Sequence, residues 1–195
     1  MNIPHDISDE ELLKLLTHPD TLEVAFSFLV DRYSQQLYAV IRRIVYRHEE
    51  ADDVLQNTFV KVWRHIGTFK GQSKLSTWLY SIATNEALSH IRKEKKMRRL
   101  PLTTEEYDLT QMLMSDPYFD GDLAEAQFMA AIDQLPEKQK LTFELRYFQD
   151  LPYKEISEIT NTSEGALKAN YHHAVKKIKK AMGIDEEWPP LKKIK

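Results

Sequence analysis

The chain has 195 residues, 42% hydrophobic and 29% charged, with a net charge of −3 and no cysteine. This excludes a disulfide scaffold and a thiolate metal site, and it describes a globular chain long enough for one domain or two small ones. No basic segment followed by an apolar core opens the sequence and no run of about 18 apolar residues occurs, so secretion and membrane insertion are not expected and a cytoplasmic location is.

Apolar residues recur at helical spacing with no sustained alternation, so the expected fold class is all-α. A short helix is expected over Ser8–Leu16, with Ser8 as N-cap and Glu11 three residues on. A longer helix, Leu22 to about Tyr46, carries Phe26, Leu29, Val30, Tyr33, Leu37, Ile41 and Ile44 on one face. The next, from about Glu49 to Ile66, carries Ala51, Val54, Leu55, Phe59, Val62, Trp63 and Ile66 on its inward stripe. Its first turn gathers Glu49, Glu50, Asp52 and Asp53, which suits the positive end of a helix dipole.

The loop GTFKGQSK leads to a helix capped by Ser76, with Leu75, Trp78, Leu79 and Ile82 at helical spacing. That helix ends basic: from Glu86 to Arg99, six basic residues face two acidic ones, a local charge of +4. From Pro101 to Gln127 there are seven acidic residues and no Lys or Arg, and the periodicity dissolves, so a flexible acidic linker is expected. Helices then follow at about Leu123–Leu135, Glu137–Phe148, Tyr153–Thr160 and Ser163–Met182, with Pro136 and Pro152 at two of the starts. The tail GIDEEWPPLKKIK has no clear structure.

The boundaries expected are therefore 1–99 for a first helical domain, 100–122 for the linker, 123–182 for a second helical domain and 183–195 for the tail. In the second domain, PYKEISEITNTSEGALKANYHHAVKKIKK reads as helix, tight turn, helix. Asn161 tolerates the left-handed geometry of such a turn, and Ser163 caps the second helix. Ile156, Ile159, Leu167, Tyr171, Ala174, Ile178 and Met182 face inward; Lys168, His172, Lys176 and Lys179 face out. A helix of this kind fits the major groove of duplex DNA, but an αα-hairpin with a solvated lysine face has the same spacing. The two basic stations, the second also at +4 between Glu164 and Met182, suit a polyanion more than the net charge does. His172 and His173 are adjacent and point about 100° apart, a poor arrangement for metal ligation. No nucleotide loop, paired-carboxylate signature or nucleophilic triad stands out, and no cofactor, metal or catalytic residue is expected.

HEEADDVLQNTFVKVWRHIGTFKGQSKLSTWLYSIATNEALSHIRK closely resembles the second region of bacterial RNA polymerase sigma factors of the extracytoplasmic-function (ECF) subfamily. DQLPEKQKLTFELRYFQDLPYKEISEITNTSEGALKANYHHAVKKIKK is similar to their fourth region, and the likeness spans about Phe26 to Lys180. The resemblance implies a non-enzymatic factor that binds polymerase core, recognises −35 and −10 promoter elements and aids melting. It implies that Asn85 and the loop Gly71, Gln72, Ser73 and Lys74 hold a flipped base of the −10 element, and that Arg92, Lys93, Lys95 and Lys96 contact phosphates. It places Trp78 in the core. For the −35 element it implies Ser163, Glu164, Lys168, Ala169, His172, His173 and Lys176, and for docking on the polymerase Asp52, Asp53, Gln56 and Asn57. The acidic linker would thread the RNA exit channel. Expected partners are RNA polymerase core, promoter DNA and an anti-sigma factor, often membrane-anchored in that family. The chain departs from the pattern at Ser89, where Asp is usual, and at Asn170 and His173, where Arg is; neither copies the guanidinium fork. A stand-alone helix-turn-helix regulator and a helical protein adaptor are the alternatives, and neither explains both domains in order.

Overall fold

The computed structural model describes residues 4, 7–97 and 108–184, apart from the side chain of Lys95. Among the described residues all regular structure is helical: α1 (Asp9–Thr17), α2 (Leu22–Val45), α3 (His48–His65), α4 (Leu75–Met97), α5 (Leu109–Ser115), α6 (Leu123–Asp133), α7 (Glu137–Phe143), α8 (Tyr153–Thr160) and α9 (Glu164–Met182). A 3-10 turn, Ile66–Thr68, follows α3, and a wide π turn, Glu144–Phe148, continues α7. The chain divides into two compact units, Met1–Lys96 and Met97–Lys195.

In the first unit α1 begins with the expected capping box. The Ser8 hydroxyl accepts from the Glu11 N–H at 3.2 Å while the Ser8 N–H donates to Glu11 Oε2 at 3.0 Å. The Ser8 hydroxyl, which also donates to Glu11 Oε2 at 2.8 Å, and after it the Ser8 N–H hold the Glu11 carboxyl below its usual range. α1 is fastened to α2 through Asp9, which accepts from the Tyr33 hydroxyl at 2.8 Å and from Arg32 at 3.2 Å. Burial first, and the Asp9 carboxylate second, push the Tyr33 phenol well above its ordinary value. The core gathers Leu12 and Leu16 from α1, Leu29, Leu37 and Ile41 from α2, Ala51, Val54 and Val62 from α3, and Leu75, Leu79, Ala83 and Ala87 from α4. Thr58 and Thr84 are buried too, their hydroxyls donating to the carbonyls of Val54 and Tyr80 four residues back.

Three details differ from expectation. The first carbonyl of α4 to accept a helical bond is that of Lys74, from Trp78 at 3.1 Å, so Ser76 lies within the first turn and is not the cap. Trp63 is 42% exposed, on the outer face of α3. Its position explains this: Val54, Thr58 and Val62 set the buried direction, and Trp63 is one residue, about 100°, beyond Val62. Trp78, expected in the core, is half-buried against Phe69.

The second unit is built on aromatic side chains. Phe143 is fully buried and sandwiched between Tyr147, 4.9 Å away at 15°, and Tyr171 of α9, 5.6 Å away at 13°. Phe128 of α6 meets the same cluster edge-on. The π turn opens within what the periodicity reads as one helix to Phe148. Residues four apart share a helix face, and Tyr147 stacks on Phe143 across the start of that turn. α7 packs on α9, α8 packs on α9, and α6 lies between α9 and α5.

α5 falls where no sustained period was visible. Leu109 and Leu113 bury its inner face, and Asp108 caps it by accepting from the N–H groups of Thr110 and Gln111. Asp116 accepts from the Tyr118 N–H in the following turn, and Asp122 caps α6 through the Glu125 N–H. Three acids of the acidic stretch therefore serve local backbone hydrogen bonds. Residues 100–107, including Glu105 and Glu106, and 185–195 of the tail lie outside the described residues.

Asn161 ends α8 at φ 50°, ψ 44°. Asn161→Val should cost about 1–2 kcal/mol of unfolding free energy, since a β-branched side chain resists the left-handed region, while Asn161→Gly should be near neutral. Urea denaturation of both variants measures the difference.

Candidate functional site

The helix-turn-helix forms as the sequence anticipates. Asn161 supplies the left-handed residue, and the Ser163 hydroxyl accepts from the Ala166 N–H at 3.4 Å to cap α9. Leu167, Ala174 and Ile178 hold one side of α9 in the core. Ser163 and Glu164 at its start, and Lys168, Ala169, His172, His173 and Lys176 on the side turned away from that line, are all exposed. At about 100° per residue, Glu164, Lys168, His172 and Lys176 fall within a 120° arc, a straight stripe with one acid followed by cationic or ionisable groups. Gly165 and Ala166 are also exposed on the first turn, leaving little bulk where a helix N-terminus would approach a groove. Lys168 is steadied: its ammonium lies 5.8 Å from the ring centroid of Tyr153, which the Arg146 guanidinium approaches at 5.5 Å. Tyr153 and Arg146 are contributions that helical periodicity did not single out.

In the first unit α4 carries the second station. Asn85, Arg92, Lys93 and Lys96 are exposed, and Asn85, Ser89, Arg92 and Lys96 share one line at spacings of four, three and four. The side chain of Lys95 and all of Arg98 and Arg99 lie outside the description. Gly71, with φ 67°, turns the preceding loop; Gln72 and Lys74 are exposed and Ser73 half-exposed. The loop folds back on α4 through Phe69, whose ring lies 4.9 Å from that of Trp78. Asn85 is seven residues beyond Trp78, about 10 Å further along the axis. Loop and Asn85 thus address neighbouring positions along α4, in reach of one nucleotide only if it lies lengthwise on the helix.

The exposed face of α3 is a stripe of two halves. Asp52, Asp53, Gln56 and Asn57 are exposed in its first half, and Val60 (43%) and Trp63 (42%) continue it. The rings of Phe26 and Trp63 meet edge to face, their centroids 4.8 Å apart, which restrains the indole. Not all of the acids at the start of α3 are free surface charge. Glu50 is half-buried and faces His90 of α4 at 3.4 Å, and Asp52 faces His48 at 3.3 Å. Lys61 pairs with Glu86. The Lys61–Glu86 pair joins α3 to α4, and Glu50 and His90 approach across the same boundary. Among the described residues no group of three or more His, Asp or Glu could hold a metal, and no helix is long and apolar enough to cross a membrane.

Two helical units, one carrying an outward helix-turn-helix and the other a basic helix beside an acidic-apolar stripe, are the parts of a DNA-binding protein. Residues 29–97 match the family model for Sigma-70 region 2, and residues 125–178 that for Sigma-70, region 4. The chain is 31% identical to the RNA polymerase sigma-H factor of Pseudomonas aeruginosa, over 89% of this chain and 93% of that one. It is 30% identical to the ECF RNA polymerase sigma factor SigX of Bacillus subtilis, over 85% and 88%. In fold it is similar to CnrH, solved in complex with the cytosolic domain of CnrY (TM-score 0.68, 19% identity, 91% of this chain and 99% of that one). It is similar also to RpoE of Bartonella quintana, solved with the anti-sigma factor NepR (TM-score 0.64, 20% identity, 83% and 98%). The chain belongs to the ECF subfamily of bacterial RNA polymerase sigma factors. It directs transcription initiation at promoters.

The Phe69–Trp78 contact should hold the loop in place. Phe69→Ala removes an aromatic pair worth about 1 kcal/mol, so the amides of the 70–74 loop should exchange about fivefold faster while those of α2 and α3 are unchanged. Hydrogen exchange read by mass spectrometry checks this.

Proposed function

We propose that the units divide the work of initiation as follows. Residues 1–99 dock on core polymerase and handle the −10 element, residues 123–182 read the −35 element as duplex, residues 100–122 connect them, and 183–195 form a tail. The observation that carries this is the outward stripe of α9: every residue assigned to −35 recognition is exposed while Leu167, Ala174 and Ile178 hold the helix to the core. The first turns of α9 would enter the major groove, with Lys176 at the phosphates.

On α4, Asn85 and the Gly71–Lys74 loop would receive an unstacked base of the non-template strand, and Arg92, Lys93, Lys95 and Lys96 would neutralise phosphates alongside. A base leaves the stack only if contacts and charge neutralisation replace what is lost, and a basic helix beside a glycine loop offers both. Asp52, Asp53, Gln56 and Asn57 would bind a basic surface of the polymerase, with Val60 and Trp63 extending that contact by apolar burial. A pre-oriented tryptophan beside charged groups is the composition of an interface anchor.

The protein performs no covalent chemistry in this reading; RNA synthesis belongs to the polymerase. It works in the cytoplasm, where polymerase and DNA are. An anti-sigma factor is the expected antagonist, supported by the two fold relatives solved with CnrY and NepR.

Reconstituted transcription tests the reading. The protein and sigma-free core polymerase, on a library of bacterial promoter fragments, should give defined start sites only when both are present. No start sites together with no core binding would favour a stand-alone regulator. The division of labour separates by mutation. Asp53→Lys should weaken core binding at least tenfold, about 1.4 kcal/mol, by placing like charge against a basic partner. Lys168→Ala should leave core affinity unchanged and weaken promoter binding by roughly 1–3 kcal/mol if it contacts a base. Fluorescence anisotropy with labelled core and labelled promoter duplex reads both.

A further inference from the structure

We propose that −35 recognition is linked to protonation: His172 and His173 each add a positive charge to the α9 stripe when they bind a proton, so promoter DNA is held more tightly as pH falls. This deepens the −35 reading above and rests on it.

Lysine is charged throughout the range in which proteins work, whereas a histidine side chain ordinarily gains or loses its charge between about pH 5 and 8. His172 lies four residues after Lys168 and four before Lys176, in the middle of one line of cations. His173 lies three before Lys176 and four before Lys177, on the adjoining line. Both are exposed, their ring centroids 5.9 Å apart at 67°. A polyanion laid along this face therefore meets a fixed set of lysines and two further groups whose charge follows the pH.

The fold itself supplies no counter-charge to these rings. Glu164, the one acid of α9, is two turns from His172, about 12 Å along the axis. α6, α7 and α8 pack on α9. α6 and α7 carry Glu125, Asp133, Glu137, Lys138 and Lys140, of which Asp133 accepts from Lys140 at 2.9 Å. α8 carries Lys154, Glu155 and Glu158, and Tyr153 at its start faces Lys168. Among the described residues none of these forms an ion pair or a hydrogen bond with either histidine. Tyr171, beside them in sequence, turns inward onto Phe143, and burial raises its hydroxyl above the usual range. The counter-charge that favours protonated rings is thus the one that DNA brings. Phosphates stabilise the charged form, so binding draws protons onto the rings, and by reciprocity protons tighten binding. Each ring charged against a phosphate adds about 0.9 to the slope of affinity against salt.

The test uses holoenzyme assembled from the full chain and core polymerase, on a promoter chosen by start-site mapping and on the same promoter with its −35 element scrambled. Fluorescence anisotropy is read at about pH 6 and about pH 8 over a series of salt concentrations. On the intact promoter the dissociation constant should fall about three- to tenfold from the higher pH to the lower, and the salt slope should steepen by about one. A His172→Gln/His173→Gln variant carries no charge there at either pH, and it should lose this change, leaving only what the polymerase contributes. A His172→Lys/His173→Lys variant should show at the higher pH the salt slope that the unaltered chain shows at the lower. Both positions are exposed, so neither replacement disturbs the core. Calorimetry in two buffers of different ionisation heat should find more proton uptake on binding by the unaltered chain than by the Gln variant. The same pH dependence and salt slope in the unaltered chain and the Gln variant, with the −35 element still required, overturn the proposal alone. If no promoter yields start sites, or scrambling the −35 element costs no affinity at either pH, the −35 reading fails and the proposal falls with it.

Discussion

The buried line of α4 runs out before the helix does, and most of the first unit's surface follows from that. Leu75, Leu79, Ala83 and Ala87 step down from leucine to alanine, so the helix lies close against its neighbours at one end and needs less room at the other. Beyond Ala87 no described side chain of α4 is fully buried. The last turns are still one continuous helix with the anchored part, so the core fixes their direction even though it does not cover them. A rigid basic rod of this kind presents Arg92, Lys93 and Lys96 without the ordering cost that a flexible basic tail would incur on binding. The Lys61–Glu86 pair then couples that direction to α3.

The second unit solves a related problem with aromatic rings. A helix that must present one face to DNA can be held only by the other, and α9 offers few large residues there. Leu167, Ala174 and Ile178 are supplemented by Tyr171, which stacks on Phe143. Burial raises the Tyr171 and Tyr147 hydroxyls above their usual range, so both rings stay neutral wherever the protein is folded at moderate pH. The recognition face is thus fixed by flat contacts on one side and steadied at Lys168 by the Tyr153 ring on the other.

What was legible in the sequence was local chemistry with a single physical solution. Ser8 with Glu11, Asn161 before Thr162, and Ser163 before Glu164 each specify a cap or a turn, and each is found. The periodic stripes of α8 and α9 include every residue buried there, that of α2 misses Ala25, Val40 and Val45, and the outward face of α9 follows as the complement of its stripe. The failures share a cause. Apolar identity points Trp63 inward and its angular position points it outward, and Ser76 has the chemistry of a cap although Lys74 already begins the hydrogen bonding. α5 escaped notice because seven residues with two buried leucines carry too little period to register. Its acids read as a charged linker, whereas three of them are occupied with backbone N–H groups. The α3–α4 ties could not be read either, since nothing in spacing tells which carboxylate of a cluster meets a histidine forty residues away.

The π turn at Glu144–Phe148 constrains how this chain could diverge. Such a turn holds one residue more than an α-helical turn would, and here it carries Tyr147, which sits over Phe143. Losing one residue in this stretch would tighten the turn and swing each following side chain by about 100°, taking Tyr147 off the stack. Substitutions among the aromatic residues can be compensated one at a time, but a change of length here displaces them all together. Descendants of this sequence should therefore tolerate insertions and deletions in the 149–152 loop long before they tolerate one between Phe143 and Phe148.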